Sequence, residues 1–354
     1  MKEDAMKRDI SLLAGCAALA GLLVLATLPA TGQSSGKNIE WRYYGSDLGN
    51  THYSPADQID ATNFGKLELA WRFHTENLGP RPEYNMEGTP LMANGVVYST
   101  AGTRRSVVAL DAVTGELLWV HGEREGARGT AAPRQLSGRG LGYWTDGREE
   151  RILYVTPGYR LIALDAKTGN PVAGFGRNGA VDLKENDDQA IDPLSPDIGL
   201  HATPVVAGDT VIVGAAHKSG GVPKSKANVK GYVRGFDVRT GRRLWIFHTI
   251  PKPGEFGYDS WEKDSADYTG NAGVWGQITV DEQSAWCVCR SNCPPATTMA
   301  DIVPATDSLE NRSWPWISRR ALANGTFNWC ITASGTWTSR ARRFWWTRWS
   351  TGAQ

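Results

Sequence analysis

The sequence predicts an all-β protein made of β-propeller blades, on the basis of an internal repeat and of its composition. An alternating apolar run leads into an Asp-x-x-Thr-Gly turn three times, at Val107–His121, Leu161–Phe175 and Val233–Phe247. The 354 residues include 40 Gly, 18 Pro and 15 Trp, which is typical of turn-rich all-β repeat proteins. Repeats at an irregular spacing of this kind indicate antiparallel blades around an axis rather than one continuous core.

Each repeat predicts a tight turn and a strand that follows it. In Asp-x-x-Thr-Gly the Asp and Thr side chains can bond nearby backbone N–H groups, and the Gly tolerates a positive φ. The strands after the first and third turns carry Trp119 and Trp245. Because such large flat side chains can be buried between blades, we predict that both tryptophans are structural.

The other strands are predicted in chain order. Phe64–Thr75 is predicted as a strand without a turn partner, as expected if the N-terminal segment completes a blade begun at the far end of the chain. Gly88–Thr100 predicts two strands joined at Asn94–Gly95, a strong hairpin signal, and Val107–His121 completes that blade. The later blades are predicted at Arg151–Phe175, at His201–Gly214 with Gly231–Thr249, and at Val274–Asp281, which opens a fourth.

Residues 1–33 have the order of basic, apolar and small residues that is typical of a secretory signal peptide. Three basic side chains precede an apolar run over 10–28, and small residues follow at 30–32. The run is also long enough for an uncleaved N-terminal membrane anchor, and Leu13–Cys16 resembles a lipoprotein box. Either alternative predicts export, to the periplasm in a bacterium. Residues 34–40 are a polar linker before the domain.

Charge and motif content argue against two classes of function. The net charge is +1, and no basic stripe with interleaved aromatic residues precedes residue 284, so a nucleic-acid partner is not expected. No Ser, His and Asp constellation is evident, which argues against a hydrolase.

The composition changes at residue 284. Residues 284–354 hold eight of the 15 Trp and four of the five Cys, but no Lys and no Asp-x-x-Thr-Gly turn. A cysteine domain with disulfides or a metal knuckle is one interpretation, although no His completes a common zinc spacing and four cysteines allow three pairings. The cysteines concerned are Cys287, Cys289, Cys293 and Cys330.

A second interpretation is that residues 284–354 are an out-of-frame translation and form an aberrant, disordered tail. When the codons are read from their third base, Trp286-Cys287 forces Val, Asn328-Trp329-Cys330 forces Leu-Val, and Trp337-Thr338 forces Asp. The same frame permits the run His-His-Gly-Ile-Trp-Asp-Leu-Asp-Ile. We therefore predict a coding slip near Gln283, after a partial propeller of three to four blades over 41–283.

Residues 41–281 resemble the N-terminal part of the quinoprotein dehydrogenases, which are eight-bladed propellers that hold pyrroloquinoline quinone (PQQ). The matching stretches are the opening WRYYGSDLGNTHYSPADQIDATNFGKLELAWRF at Trp41–Phe73, EGTPL at Glu87–Leu91, the Arg-Gly-x-x-Tyr of Arg139–Tyr143, and the three turns. The membrane-bound glucose dehydrogenase branch is most similar. The resemblance implies that about the first half of an eight-bladed ring is present.

The resemblance also implies an activity and a set of site residues. Family members oxidise the CH–OH group of a sugar or alcohol by hydride transfer to PQQ, with Ca²⁺ or Mg²⁺ bound, and pass electrons to a quinone or cytochrome. It implies that Arg139 binds a cofactor carboxylate and that Glu87 is a polar contact at the cofactor's edge. His201 and Thr203 precede a strand and could face the axis, although a lone histidine there is also typical of a structural residue. Asn271 lies near the position of a calcium-liganding asparagine.

Several positions depart from the family pattern. Ser137-Gly138 stands where alcohol-oxidising members carry adjacent cysteines, Lys218–Lys230 lacks a calcium-liganding Glu, and Gly273 stands where an Asn is expected. The catalytic residue is unknown, because the family's Asp base exists here only in the alternative frame. We therefore expect the chain as written to be insoluble or inactive. A non-enzymatic propeller scaffold of the outer-membrane assembly type remains an alternative.

Overall fold

The computed structural model describes residues 39–218, 227–255, 258–261, 264–282, 286–290 and 328–332. Three four-stranded antiparallel sheets follow one another along the chain, and a three-stranded sheet comes last. In each four-stranded sheet, neighbouring strands in space are also neighbours in sequence. This meander is the blade of a β-propeller, so the predicted all-β propeller fold is confirmed.

The strands have the following bounds. Blade 1 contains β1 (Leu91–Ala93), β2 (Val96–Ala101), β3 (Ser106–Asp111) and β4 (Leu117–His121). Blade 2 contains β5 (Gly142–Thr145), β6 (Glu150–Val155), β7 (Arg160–Asp165) and β8 (Ala180–Asp182). Blade 3 contains β9 (Val205–Ala207), β10 (Thr210–Val213), β11 (Val233–Asp237) and β12 (Arg243–Phe247). The last sheet contains β13 (Thr279–Asp281), β14 (Trp286–Arg290) and β15 (Asn328–Thr332).

Helical structure is limited to single turns in the described residues. Two short α-helices are α1 (Gly126–Ala131) and α2 (Ser265–Tyr268), and two 3₁₀ turns cover Phe64–Lys66 and Tyr258–Ser260. None of the helices described is long and apolar enough to cross a membrane. The predicted signal peptide or anchor at 1–33, and all but two residues of the linker, lie outside the described residues.

The three repeat turns have the predicted hydrogen bonds. Oδ1 of Asp111 accepts bonds from the backbone N–H groups of Val113 and Thr114, at 2.9 and 2.8 Å, and from the Thr114 hydroxyl at 3.0 Å. The same three bonds recur at the second and third turns. The closing glycine has a φ of 73° at Gly115 and 71° at Gly169. Each copy therefore reverses the chain by the same local chemistry.

A tryptophan ring packs on each of the first two of these turns. Trp119 of blade 1 donates its ring N–H to Ala166 O at 3.0 Å, and a Cβ at Gly169 would lie 2.5 Å from its ring. Trp71 makes the same contact with the first turn through Ala112 O, at 3.2 Å. The structural role predicted for Trp119 is thus confirmed. The second repeat has no Trp, and there the main-chain N–H of Gly176 bonds Thr240 O at 2.9 Å instead.

The predicted hairpin at Asn94–Gly95 is confirmed, whereas the strand predicted over Phe64–Thr75 is wrong. Asn94 and Gly95 have φ values of 52° and 78° between the paired strands β1 and β2. The earlier segment contains a 3₁₀ turn and then continues without pairing in a ladder. Trp71 and Phe73 pack on blade 1 beside buried Val108, whereas Leu67 and Leu69 are exposed.

Apolar side chains and buried ion pairs fill the space between blades. Arg234 of β11 and Asp187 form an ion pair with 3.0 Å between Nη1 and Oδ1, and each side chain is only 1% exposed. Arg234 also donates to Leu183 O at 2.7 Å, which ties blade 3 to the end of blade 2. Arg128 of α1, whose side chain is also buried, binds both carboxylate oxygens of Asp182 at 2.6 Å.

Two short pieces of the predicted tail are described. β14 pairs antiparallel with β13, and β15 pairs parallel with β14. The other residues of the tail that we predict to be out of frame lie outside the described residues.

Candidate functional site

The inner segments of successive blades meet near the predicted site residues. The Thr89 N–H bonds Arg139 O at 3.1 Å, and the Arg139 N–H bonds His201 O at 2.8 Å. In the next contact, the Thr203 N–H donates to the Gln277 side-chain oxygen at 3.2 Å. The segments before β1, β5, β9 and β13 therefore lie side by side, as expected at the axis of a propeller.

Two glycines allow the backbones to approach this closely. A Cβ on Gly138 would lie 2.9 Å from His201 O, and one on Gly140 would lie 2.9 Å from Thr89 O. Their φ values are 70° and 132°, which side chains rarely adopt. Arg139 is therefore held between two positions that favour glycine.

Arg139 lies between a carboxylate and an aromatic ring. Its Nε is 3.4 Å from Glu87 Oε2, and its guanidinium carbon is 5.4 Å from the centre of the Trp275 ring. His201 stacks on the same tryptophan, with 6.0 Å between ring centres and 13° between the planes. Hydrogen bonds from Asn85 and then Arg139 lower the pKa of Glu87. The four side chains form a flat, charged group at the axis.

A cleft of about 510 Å³ adjoins this group, and its lining is rich in cations. Burial, followed by the charges of Arg134 and Arg139, lowers the pKa of His201 to about 3, so this imidazole is neutral at physiological pH. The ionisable side chains that set the charge of the cleft are Arg81, Glu87, Arg134, His201 and Lys218. Three cations against one carboxylate make the cleft suited to an anionic ligand.

Two predicted site residues lie outside this cleft. Thr203 hydrogen-bonds Gln277 through its backbone N–H and its hydroxyl, and it lines a separate cavity of about 20 Å³. Asn271 adopts a φ of 63°, and its Oδ1 accepts a bond from the Asn228 side chain at 2.8 Å. Across the described ranges, no group of three or more His, Cys, Asp or Glu side chains could hold a metal ion.

Sequence reasoning assigned no site role to Trp275 or Arg134. Trp275 lies in the segment before β13, just as Glu87 lies before β1 and Arg139 lies before β5. This shared position could have indicated that its ring lies at the axis. Arg134 lies in an irregular loop with no pattern of its own. Its Nε is buried without a hydrogen-bond partner among the described residues, and so is His201 Nδ1.

Known proteins match the region that contains this site. The family described as "PQQ: Glucose/ethanol/alcohol dehydrogenase, beta-propeller domain" matches residues 41–287. An alcohol dehydrogenase (quinone) dehydrogenase subunit of Gluconobacter oxydans is 30% identical over 274 residues, which cover 72% of this chain and 32% of the relative. A quinoprotein glucose dehydrogenase of the same organism is 29% identical, over 62% of this chain and 29% of its own length.

Solved structures share the fold. Quinohemoprotein alcohol dehydrogenase from Comamonas testosteroni superposes with a TM-score of 0.55 at 24% identity, covering 72% of this chain and 35% of that one. The chain spans about a third of the length of the curated relatives it matches. The family match covers the three blades, the first strand of the last sheet and all four axial side chains. The chain therefore belongs to the PQQ β-propeller family of glucose, ethanol and alcohol dehydrogenases.

Proposed function

We propose that this chain supplies part of the cofactor site of a PQQ-dependent dehydrogenase that oxidises the CH–OH group of a glucose-like sugar or an alcohol. The observation that carries the proposal is the axial group of Arg139, Glu87, His201 and Trp275 beside a cationic cleft. When bound, PQQ supplies a quinone carbonyl that accepts a hydride. A quinone or a cytochrome is the proposed electron acceptor.

The residues present fit a flat tricarboxylate. Arg139 offers a planar fork of N–H donors, which suits a carboxylate better than an ammonium group does. Trp275 offers a flat apolar ring beside it, 5.4 Å from the guanidinium carbon. Arg134 Nε and His201 Nδ1 are buried polar atoms without protein partners among the described residues, and a bound anion or its hydration shell would satisfy them.

Each of these residues has a task in the proposed site. Arg139 binds a carboxylate, and Glu87 fixes the guanidinium by accepting its Nε–H. His201 keeps its ring parallel to that of Trp275, and its imidazole stays neutral through the physiological pH range. Thr203 acts indirectly, because its bonds to Gln277 join the third blade to the segment that carries Trp275.

Ca²⁺ or Mg²⁺ is the second cofactor in this proposal. Asn271 is its candidate ligand, but the carboxamide oxygen already accepts a bond from Asn228. Among the described residues, no group of three or more His, Cys, Asp or Glu side chains is placed to hold this cation. We therefore assign no catalytic step to the metal.

We also propose a cellular location for the protein and a shift in the reading frame of its gene. The export signal predicted at 1–33 favours a periplasmic protein, and an uncleaved signal would anchor it in the inner membrane. A coding slip near Gln283 accounts for the change in composition, and an intact frame in independent genomic DNA would contradict it.

A non-enzymatic scaffold is the second candidate, but the Arg139 group and the family match favour the dehydrogenase.

Removing the Arg139 guanidinium is expected to weaken PQQ binding. Loss of a charge-assisted hydrogen bond costs about 1.5–3 kcal/mol, which is roughly 10- to 100-fold in affinity. Fluorescence titration of the wild type and of Arg139→Ala with PQQ measures this effect. Arg177→Ala is the control, because that side chain is 76% exposed and pairs with Glu185 at the surface. Equal affinity of all three proteins would contradict the proposed cofactor site.

The chain as written is expected to be inactive with glucose or ethanol, PQQ and Ca²⁺. The family's Asp base is not encoded in its frame, so no side chain assigned here removes the hydroxyl proton. A dye-reduction assay compares the chain with the product of a gene whose frame is restored near codon 283. Activity of the restored protein alone supports the proposal, whereas dye reduction by a soluble monomer of the chain as written overturns this prediction.

A further inference from the structure

Arg105 is a buried cation, and its five hydrogen bonds to the described residues go to main-chain carbonyls. It is 3% exposed, although it lies in the turn before β3. Its guanidinium donates to Leu136 O at 3.0 Å, to Val155 O at 2.8 Å and to Leu200 O at 2.6 Å. Two further bonds reach Arg134 O and Gln135 O at 2.9 and 3.4 Å. One side chain thus joins blade 1, blade 2 and the segment that leads into blade 3.

The loop that Arg105 holds has an unfavourable backbone. Leu136 has a φ of 72°, in the left-handed region that residues with a Cβ rarely adopt. Gly138 and Gly140 follow at 70° and 132°, so three of five consecutive residues have positive φ values. Such conformations persist where surrounding contacts over-determine them. Arg139, the residue proposed to bind a cofactor carboxylate, lies inside this stretch.

The peptide unit between Leu136 and Ser137 is held from both sides. Its carbonyl accepts the Nε–H of Arg105 at 3.0 Å, and its N–H donates to Glu83 Oε1 at 2.9 Å. A Cβ on Gly138 would lie 3.0 Å from Arg105 Nε, so the loop packs directly on the guanidinium. The two side chains restrain the strained loop from opposite directions.

The same guanidinium reaches the other wall of the site. The shortest of its hydrogen bonds goes to Leu200 O, and Leu200 is the residue before His201. The carbonyls of Arg134 and Gln135 belong to residues that line the cleft. Arg105 therefore contacts the backbone on both sides of the cleft without lining it.

We propose that Arg105 and Glu83 form a clamp that fixes the loop 134–140, and that they are positioning residues for Arg139 and for the cleft. The part of this inference that concerns PQQ rests on the proposed function, whereas the restraint on the loop does not. Burial lowers the pKa of Arg105 to about 10, so the clamp keeps its charge at neutral pH. Neither residue touches the reacting atoms in this proposal.

The test compares Arg105→Lys with the matched control Arg151→Lys in the full chain. Arg151 is also buried, at 6% exposure, and donates to two carbonyls, Val238 O and Arg239 O, but it does not line the cleft. Lysine retains the charge and lacks the fork of donors. We expect Arg105→Lys to speed hydrogen exchange of the amides at 138–140 by about tenfold or more, while Arg151→Lys leaves them unchanged.

The PQQ affinity gives the second readout. We expect it to fall by about tenfold in Arg105→Lys and to stay within about twofold in Arg151→Lys. If wild type does not bind PQQ, the proposed function fails and the exchange data still decide the clamp. Unchanged exchange in Arg105→Lys, or equal effects of the two variants, overturns the clamp.

Glu83→Ala tests the clamp if Arg105→Lys does not fold. It removes the acceptor of the Ser137 N–H and leaves the buried guanidinium intact. Faster exchange at the Arg139 amide, whose own acceptor is His201 O, supports the proposal. Faster exchange confined to Ser137 contradicts it.

Discussion

Replacing Gly169 with Ala is expected to destabilise the protein by about 2–5 kcal/mol. Gly169 has a φ of 71°, where a Cβ costs about 1–2 kcal/mol. The new methyl group would lie 2.5 Å from the ring of Trp119, and overpacking of this kind costs about 1–3 kcal/mol more. Because the ring donates to Ala166 O in the same turn, it cannot retreat without losing that bond. Denaturant unfolding followed by tryptophan fluorescence measures the change.

Gly147→Ala separates the two causes. Gly147 has a similar positive φ, 87°, but a Cβ there meets no atom within 4 Å. We expect this control to lose only the backbone contribution, about 1–2 kcal/mol. If both variants lose the same free energy of unfolding, the ring of Trp119 does not contribute to the junction between blades 1 and 2.

Replacing Arg234 with Met is expected to cost about 3–5 kcal/mol, because it leaves a buried carboxylate without its cation. Asp187 and Arg234 are each 1% exposed and 3.0 Å apart. Arg177→Met is the control, since its ion pair with Glu185 is exposed and worth at most about 1 kcal/mol. Thermal unfolding of the three proteins measures the loss. Equal stability of the two variants would contradict the assigned role of the buried pair.

The pH dependence of the Arg234→Met variant provides a second check. Burial raises the pKa of Asp187, and the Arg234 charge opposes that rise. Without Arg234 the folded pKa rises further above the unfolded value of about 3.9. A raised folded pKa gives stability that is present at low pH and lost as the pH increases. The variant should therefore approach the wild type in stability as the pH falls through the raised pKa of Asp187.

Local signals in the sequence were enough to predict the blades. The turns beginning at Asp111 and Asp165 and the hairpin at Asn94–Gly95 depend on neighbouring residues, so their chemistry is readable from a few letters. Phe64–Thr75 was predicted wrongly because alternation predicts an apolar face without specifying a paired edge. Its Trp71 and Phe73 satisfy that face by packing on blade 1.

The site was predictable only in part. Arg139 and Glu87 follow from short motifs and do lie together, 3.4 Å apart. Arg105 bonds Leu200 O across 95 positions of sequence, and nothing near it indicates that contact. Trp275 is one of 15 tryptophans, and only the assembled blades distinguish an axial ring from one packed between sheets. Thr203 lies near the axis but bonds Gln277 and does not enter the cleft.

The main-chain bonds that join Thr89, Arg139 and His201 make the site sensitive to how the three blades are placed relative to one another. Each bond connects one blade to the next. A small tilt of a single blade would therefore shift the Arg139 guanidinium relative to the His201 imidazole, which stacks on Trp275. Selectivity could then evolve through substitutions at the rim of a blade, far from any bound molecule. Libraries of substitutions at blade junctions, as well as in the cleft, are therefore a route to changing which ligand such a site accepts.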